Sequence, residues 1–150
     1  MSELADVSEF LMAGARTGML GYVASDGRPL VVPVWFLVED GELLFNTGRD
    51  SAKGRALARD PRVTVCVDDA HPPFSFVQVQ GLAALSDDPQ ELLETAIRLA
   101  ARYMGADSGE EFGTRNAAMA QGGLVVRVRP TRIVSAFNLQ DRRHGPQRGR

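Results

Sequence analysis

Cysteine and histidine are scarce in this sequence, which contains one cysteine and two histidines among 150 residues. Since Cys66 stands alone, the chain can form neither an internal disulfide nor a cluster of thiolate metal ligands. Long hydrophobic runs are also missing, because the longest, residues 30–38, is far shorter than the roughly 20 residues that cross a membrane. We therefore expect a cytoplasmic protein with no membrane partner and no metal.

An excess of positive charge is missing as well, because 17 lysines and arginines face 19 aspartates and glutamates, for a net charge of −2. This balance argues against nucleic-acid binding, which needs a basic surface. The N-terminus, MSELADVSEF, is acidic where a signal peptide would be basic. We expect one domain, residues 1–138, followed by a basic, disordered tail, residues 139–150.

Four segments carry helix signals. Apolar residues recur at helical spacing in residues 3–14. A second helix is predicted at about 50–60, where Asp50 or Ser51 begins it and Asp60-Pro61 ends it. Asp88-Pro89-Gln90-Glu91 predicts the start of a third helix, in which Asp88 caps the end and Glu91 completes a capping box. A weaker pattern predicts a fourth helix over residues 108–119.

Seven segments are predicted to be β-strands: 17–24, 29–38, 42–47, 62–68, 74–85, 123–129 and 131–138. Asp26-Gly27 and Asp40-Gly41 are strong hairpin signals, so residues 17–47 are predicted to form an antiparallel meander. Pro130 is predicted to split the last two strands. Six or seven short antiparallel strands with flanking helices indicate a mainly β fold of the α+β class, built as a small barrel.

The strand at 30–38 is apolar on both faces, whereas a strand with one face in water alternates between apolar and polar residues. One face carries Leu30, Val32, Val34, Phe36 and Val38, and the other carries Val31, Pro33, Trp35 and Leu37. The outer face requires a cover, which is a helix of the same chain, a second subunit or a flat ligand. Pro33 lacks an N–H and predicts an irregular or edge-like middle for this strand.

The strand at 75–81 does alternate, with Ser75, Val77 and Val79 on one face and Phe74, Phe76, Gln78 and Gln80 on the other. Two aromatic rings and two amides suit a flat ligand whose edges form hydrogen bonds. They equally suit an ordinary sheet face at a subunit interface.

The start of the 50–60 helix indicates an anion site. Lys53 lies in the first turn, where the positive end of the helix dipole repels a cation, and Gly54, a poor helix former, follows it. A bound anion would neutralise Lys53, take hydrogen bonds from free N–H groups and approach closely at Gly54. Ser51 and Thr47 would add hydroxyl donors. The alternative is an ordinary solvated helix.

The whole pattern resembles the pyridoxamine 5′-phosphate oxidase-like split β-barrel proteins, and within them the B-type flavin/deazaflavin oxidoreductases of actinobacteria. The resemblance covers roughly residues 17–138. The matching segments are GRPLVVPVWFLVEDGELLFNT (27–47), DSAKGRALARDPRV (50–63), PPFSFVQVQGLA (72–83), AARYMG (100–105) and LVVRVRPTRIVSAF (124–137).

This resemblance implies a homodimer with two cofactor sites at the subunit interface. It implies that the strand around Trp35 lies along a tricyclic ring, that the segment after Thr47 holds a phosphate, and that Phe74 lies beside the ring. The cofactor-binding residues expected on this basis are Val32, Pro33, Val34, Trp35, Asn46, Thr47, Ser51, Ala52, Lys53, Arg55 and Phe74.

Two cofactors remain open. Oxidases of this superfamily that use FMN usually show Ser-Arg-Lys at the helix start, where this chain has Ser51-Ala52-Lys53. The missing arginine favours the deazaflavin coenzyme F-420, whose phosphate diester carries one charge. Arg55, Arg127 or Arg129 then either meets the anionic tail of the coenzyme or faces water.

The resemblance implies an oxidoreductase in which reduced coenzyme F-420 passes a hydride to an unidentified conjugated small molecule. We assign no catalytic residue, because His71 and His144 are interpreted as surface residues and the cofactor carries the chemistry. The alternatives are an oxidase or reductase that uses FMN, and a non-catalytic protein that binds deazaflavin, haem or another tetrapyrrole.

Overall fold

A computed structural model of the chain describes residues 4–119 and 122–141. Within these ranges, the chain has an α+β arrangement in which runs of strands are separated by helices. The elements are α1 (Leu4–Met12), β1 (Gly18–Val23), β2 (Pro29–Val34), β3 (Leu37–Glu39), β4 (Glu42–Gly48), α2 (Ala52–Arg59), β5 (Arg62–Asp69), β6 (Ser75–Ser86), α3 (Pro89–Met104), α4 (Ala106–Met119), β7 (Gly123–Ala136) and a short 3₁₀ helix (Leu139–Asp141).

The seven strands form one antiparallel sheet in the order β2-β1-β5-β6-β7-β4-β3. The predicted meander over residues 17–47 is therefore wrong, because β5, β6 and β7 separate the β1–β2 hairpin from the β3–β4 hairpin. Yet β2 ends at Val34 and β3 begins at Leu37, so at most about 11 Å of chain joins the two end strands. The sheet must curl until its ends approach each other, which confirms the predicted barrel.

The inner face of the curled sheet encloses the main hydrophobic core, and α1 and α2 add apolar side chains to it. A smaller cluster lies on the outer face, where α3 packs against β3, β4 and β7. Its members are Leu37, Leu44, Leu92, Leu99 and Val125. The predicted cover of this face was a helix of the same chain, a second subunit or a flat ligand. At Leu37 the cover is a helix of the same chain, α3.

The turns confirm the hairpin signals. Asp40 and Gly41 have φ angles of 52° and 76°, and Glu39 pairs with Glu42. Two successive positive φ angles define the tight turn that Asp-Gly favours. In the β1–β2 turn, Gly27 has a φ angle of 88° and donates its N–H to the carbonyl of Ala24 at 2.9 Å.

The last strand is longer than predicted, because β7 continues through Pro130. Pro130 pairs with Gly81 and Arg132 pairs with Gln80, so Thr131 is an extra residue at a β-bulge. A bulge is one of the few places where a strand with two neighbours tolerates a residue without an N–H. The prediction of two separate strands is therefore wrong.

The helix starts follow the cap signals in part. The Asp88 carboxylate accepts the N–H of Gln90 at 3.0 Å, which confirms the predicted cap. The capping box does not form, because the Glu91 carboxylate accepts hydrogen bonds from Ser86 and Arg127 instead. A guanidinium is a stronger partner for a carboxylate than the neutral N–H of a cap residue.

The predicted tail begins with ordered residues. Leu139 lies in the 3₁₀ helix and donates its N–H to the carbonyl of Phe74 at 2.8 Å. The rest of the predicted tail, which includes His144, lies outside the described residues. No helix within residues 4–119 and 122–141 has the length and apolar character to cross a membrane.

Candidate functional site

The turn between β4 and α2 brings Thr47, Ser51, Ala52 and Lys53 together. The Ser51 hydroxyl caps α2, since it accepts the Gly54 N–H at 3.0 Å and donates to the Gly48 carbonyl at 2.6 Å. The Thr47 hydroxyl lies 3.3 Å from the Ser51 hydroxyl. Because Ser51 already gives its only hydrogen to Gly48, Thr47 is the donor in this long contact. Its hydrogen can instead turn to a ligand, so Thr47 is the better hydroxyl donor at this turn.

Two backbone N–H groups at the start of α2 have no acceptor within the described part of the chain, and they belong to Ala52 and Lys53. The next amides are satisfied, because Gly54 donates to the Ser51 side chain and Arg55 donates to the Ser51 carbonyl. Free amides at a helix N-terminus point along the axis and carry partial positive charge, which is the standard geometry for an anion.

Gly54 has a role that the sequence does not reveal. A Cβ atom at this position would lie 2.1 Å from the carbonyl oxygen of Gly48 and 3.0 Å from that of Arg49. Gly54 therefore allows α2 to pack against the loop that precedes it. We predicted that it leaves room for an anion, and the structure gives it this packing role instead.

Lys53 is the only member of the group with a full positive charge. Its Nζ lies 5.8 Å from the centroid of the Phe45 ring, and no acceptor for it occurs among the residues described. Burial lowers the pKa of the Lys53 ammonium, since half-burial beside an aromatic ring disfavours the charged form. An unpaired, partly desolvated cation beside two free amides fits a bound anion.

The other predicted residues near this turn lie apart from it. Asn46 lies on the opposite face of β4 from Thr47, where its amide donates to the Leu92 carbonyl of α3 at 3.4 Å. Its Oδ1 is buried and has no partner in the described structure. The Arg55 side chain is exposed, on the side of α2 away from Lys53. We call Thr47, Lys53 and the backbone amides of Ala52 and Lys53 the anion cradle. The structure separates Asn46 and Arg55 from it.

The β2 segment shows the two apolar faces that were predicted. Val34 is buried in the barrel core and Val32 packs against that core, whereas Val31, Pro33 and Trp35 are exposed on the outer face. The exposed fraction is 62% for Val31 and 41% for Trp35. β2 also lies at one end of the sheet order, as Pro33 predicted. This part of the outer face therefore presents apolar side chains that are at least partly exposed.

A cluster at the end of α3, which the sequence patterns did not reveal, supports Trp35. The Tyr103 ring stacks on the indole, with centroids 4.7 Å apart and planes inclined by 2°. Arg102 donates to the carbonyls of Phe36, Leu11 and Gly14, and its guanidinium lies 4.6 Å from the centroid of the Phe36 ring. The sequence did contain a signal for this cluster, because Arg102 and Tyr103 lie on the inward side at the end of a predicted helix.

The outer face of the sheet continues from β2 across β1, β5 and β6. Pro33 pairs with Met19, Met19 with Cys66, and Cys66 with Gln78, so one row of side chains crosses four strands. Met19 is exposed, and the Gln80 amide donates to the Gln78 side-chain oxygen at 2.9 Å. The predicted face of rings and amides therefore joins the exposed face of β2.

Phe74 lies at the start of this face. It precedes β6, is exposed and has a positive φ of 59°. Its N–H donates to the His71 carbonyl at 2.8 Å, and its own carbonyl accepts the Leu139 N–H. Both backbone bonds hold the residue in a left-handed conformation that non-glycine residues seldom adopt.

Arg127 and Arg129, two of the three arginines of β7, have separate environments. Arg127 forms two hydrogen bonds with the Glu91 carboxylate, at 2.9 and 2.7 Å, and lies 4.0 Å from Glu39. This contact lowers the pKa of Glu91. Arg129 is exposed and lines an open groove of about 470 Å³ beside Glu42 and Pro130. Arg127 is therefore a structural ion-pair partner, and neither arginine contacts the anion cradle.

Comparison with known proteins identifies the family. The sequence matches the pyridoxamine 5′-phosphate oxidase family over residues 5–135. No curated protein matches the sequence. Among solved structures, the conserved hypothetical protein Rv2991 from Mycobacterium tuberculosis is 29% identical, with a TM-score of 0.76 over 90% of this chain and 84% of that chain.

Two further structures show how widely the fold is used. A protein described as an F420 reductase is 26% identical, with a TM-score of 0.67 over 84% of this chain and 94% of its own. The heme storage protein HutZ from Vibrio cholerae is 17% identical, with a TM-score of 0.68 over 93% of this chain and 99% of its own, and shows the fold alone. Given the match over residues 5–135 and the curled seven-stranded sheet, the chain belongs to the pyridoxamine 5′-phosphate oxidase-like split β-barrel superfamily.

Proposed function

We propose that this protein is an oxidoreductase that uses reduced deazaflavin coenzyme F-420 to reduce a conjugated small molecule. The observation that carries this proposal is the anion cradle. It offers one unpaired ammonium, one hydroxyl and two free amides, which matches a phosphate diester with a single negative charge. FMN ends in a phosphate dianion, and Ala52 supplies no second cation for it.

The similarity to an F420 reductase supports the same choice of cofactor. The family match alone supports only a flavin-type cofactor. The choice of the deazaflavin therefore depends on the hydrogen-bond donors of the anion cradle at the start of α2. A non-catalytic carrier remains the alternative from another class, and turnover separates it from an enzyme.

The residues of this chain would bind and orient the coenzyme rather than perform the chemistry. When bound, the reduced deazaflavin supplies a hydride from its ring. Lys53 and the two amides would hold the phosphate, while Trp35 and its apolar neighbours on β2 would line the ring and exclude water. No side chain is assigned to deliver the proton that completes the reduction, and solvent can supply it.

A homodimer is part of the proposal. The outer face of β2 and β1 exposes Val31, Pro33 and Met19, and Trp35 beside them is covered only in part, by Tyr103 and Phe112. Exposed apolar residues clustered on one sheet face are typical of a subunit interface. A partner that covers this face would also enclose a ring lying along β2.

The decisive experiment is a fluorescence titration of the purified protein with oxidised coenzyme F-420, run beside FMN. We expect saturation by the deazaflavin at micromolar concentration and weak binding of FMN. Preference for FMN would transfer the proposal to the FMN-dependent alternative. Tight deazaflavin binding without turnover of any electron acceptor would favour the carrier.

The dimer is tested by sedimentation of wild type and a Val31→Glu variant. Wild type should sediment as a dimer, and the variant should shift toward the monomer, because a carboxylate on this face loses its water at the interface. Met12→Glu, which changes an exposed methionine on α1, is the matched control and should remain dimeric. A monomeric wild type, or a Val31→Glu variant as dimeric as wild type, would contradict the proposed interface.

A further inference from the structure

Among the ring pairs in the described structure, Tyr103 and Trp35 are the closest and the most nearly parallel. Their rings are parallel within 2° and their centroids are 4.7 Å apart. Trp35 nonetheless remains 41% exposed. Tyr103 covers one face of the indole, and the Phe112 ring of α4 lies 6.5 Å from it at an angle of 43°. The part of the indole that stays exposed gives the arrangement of a supported binding platform and not of a buried core residue.

The support itself is anchored on three sides. The Tyr103 hydroxyl donates to the Arg16 carbonyl at 2.7 Å and accepts the Phe36 N–H at 3.2 Å. Arg102 lies 4.9 Å from the centroid of the Tyr103 ring. These contacts join α3 to the segment before β1 and to the connection between β2 and β3. Tyr103 thus cannot turn without breaking backbone contacts on both sides.

We infer that Tyr103 is a positioning residue, which holds the Trp35 indole in the one orientation that receives a flat ligand. This inference rests on the proposed function, since it assumes that a ring lies along Trp35. The physical reason is preorganisation. An exposed indole on a sheet edge samples several rotamers, and a stacked partner removes that freedom before the ligand arrives.

The sequence offers a clean readout, because Trp35 is the only tryptophan of the chain. Its fluorescence in the full-length protein, measured without coenzyme while acrylamide is added, reports how accessible the indole is. In Tyr103→Leu we expect the quenching constant to rise about twofold, because the second face of the indole becomes accessible. Affinity for oxidised coenzyme F-420 should fall on the order of two- to tenfold, the range expected for loss of an aromatic stack.

Two further variants separate positioning from general structure. Tyr103→Phe keeps the ring and loses both hydroxyl hydrogen bonds, so quenching and affinity should remain close to wild type even if thermal stability falls. Met104→Ala removes an exposed neighbour on α3 and should change neither quantity. Circular dichroism establishes that each variant is folded.

The outcomes are distinct. Unchanged quenching in Tyr103→Leu, or increased quenching with wild-type affinity, overturns the positioning role. If Tyr103→Leu does not fold, two other measurements decide. The positioning role is overturned if acrylamide quenches Trp35 in wild type as readily as a free indole, or if Tyr103→Phe loses affinity for coenzyme F-420. If wild type binds neither coenzyme F-420 nor FMN, the proposed function fails, and quenching alone then decides whether Tyr103 holds Trp35.

Discussion

Replacing Lys53 with methionine should weaken coenzyme binding and stabilise the protein at the same time. The ammonium is half-buried beside Phe45, with no acceptor in the described part of the chain. The folded protein therefore keeps a partly desolvated charge that only a ligand neutralises. Methionine preserves an unbranched side chain of similar length and removes that charge, so the packing against Phe45 is largely retained.

The size of the binding effect follows from the contact that is lost. A charge-assisted hydrogen bond to a phosphate contributes about 1–3 kcal/mol. At 1.4 kcal/mol for each tenfold change, the dissociation constant for coenzyme F-420 should rise roughly 5- to 150-fold. Arg59→Met is the matched control, because Arg59 is an exposed cation in the last turn of the same helix. Its dissociation constant should stay near that of wild type.

The effect on stability depends on pH in a defined direction. Burial lowers the pKa of Lys53, so the unfolded chain binds more protons than the folded chain between the lowered and the ordinary pKa. The free energy of unfolding should therefore rise as pH increases through that window, and Lys53→Met should remove this rise. Urea unfolding at several alkaline pH values measures it. Undiminished coenzyme binding in Lys53→Met would refute the anion cradle, and an unchanged pH slope would refute the desolvated cation.

Two further substitutions test the structure around the site. Gly54→Ala should destabilise the fold by about 3 kcal/mol or more in urea unfolding, because its Cβ meets the Gly48 carbonyl at 2.1 Å. Gly48→Ala, whose Cβ finds only ordinary contacts, should cost far less, and equal effects would contradict the close packing. Arg127→Met should lower the free energy of unfolding at neutral pH by about 1–2 kcal/mol. Since Arg127 lowers the pKa of Glu91, the stability that this pair provides is lost as pH falls through that lowered pKa, and the variant should show a shallower acid slope.

Local sequence signals predicted local structure well. Asp40-Gly41 predicted a tight hairpin with two positive φ angles, and Asp88 predicted a helix cap. Pro33 predicted an end strand. The turn and the cap depend on the conformation of a few neighbouring residues, and Pro33 acts through its own missing N–H, so the sequence shows each signal directly.

Signals that depend on distant residues failed. Two adjacent hairpins suggested a meander, because nothing within residues 17–47 indicates that three later strands separate them. Glu91 matched a capping box, but Arg127, 36 residues away, takes its carboxylate. Gly54 was predicted to leave room for an anion, but in the fold the Gly48 carbonyl oxygen lies beside it. The resemblance to a family supplied the overall fold that these local patterns could not.

The position of β7 has a consequence for synthesis on the ribosome. β7 pairs with both β4 and β6, and its first residue, Gly123, lies opposite Gly48. Until β7 emerges, the nascent chain holds two incomplete sheets, each with an open edge that invites pairing with another chain. The barrel therefore closes only when β7 is available, and until then the β4 and β6 edges are exposed to pairing with other chains.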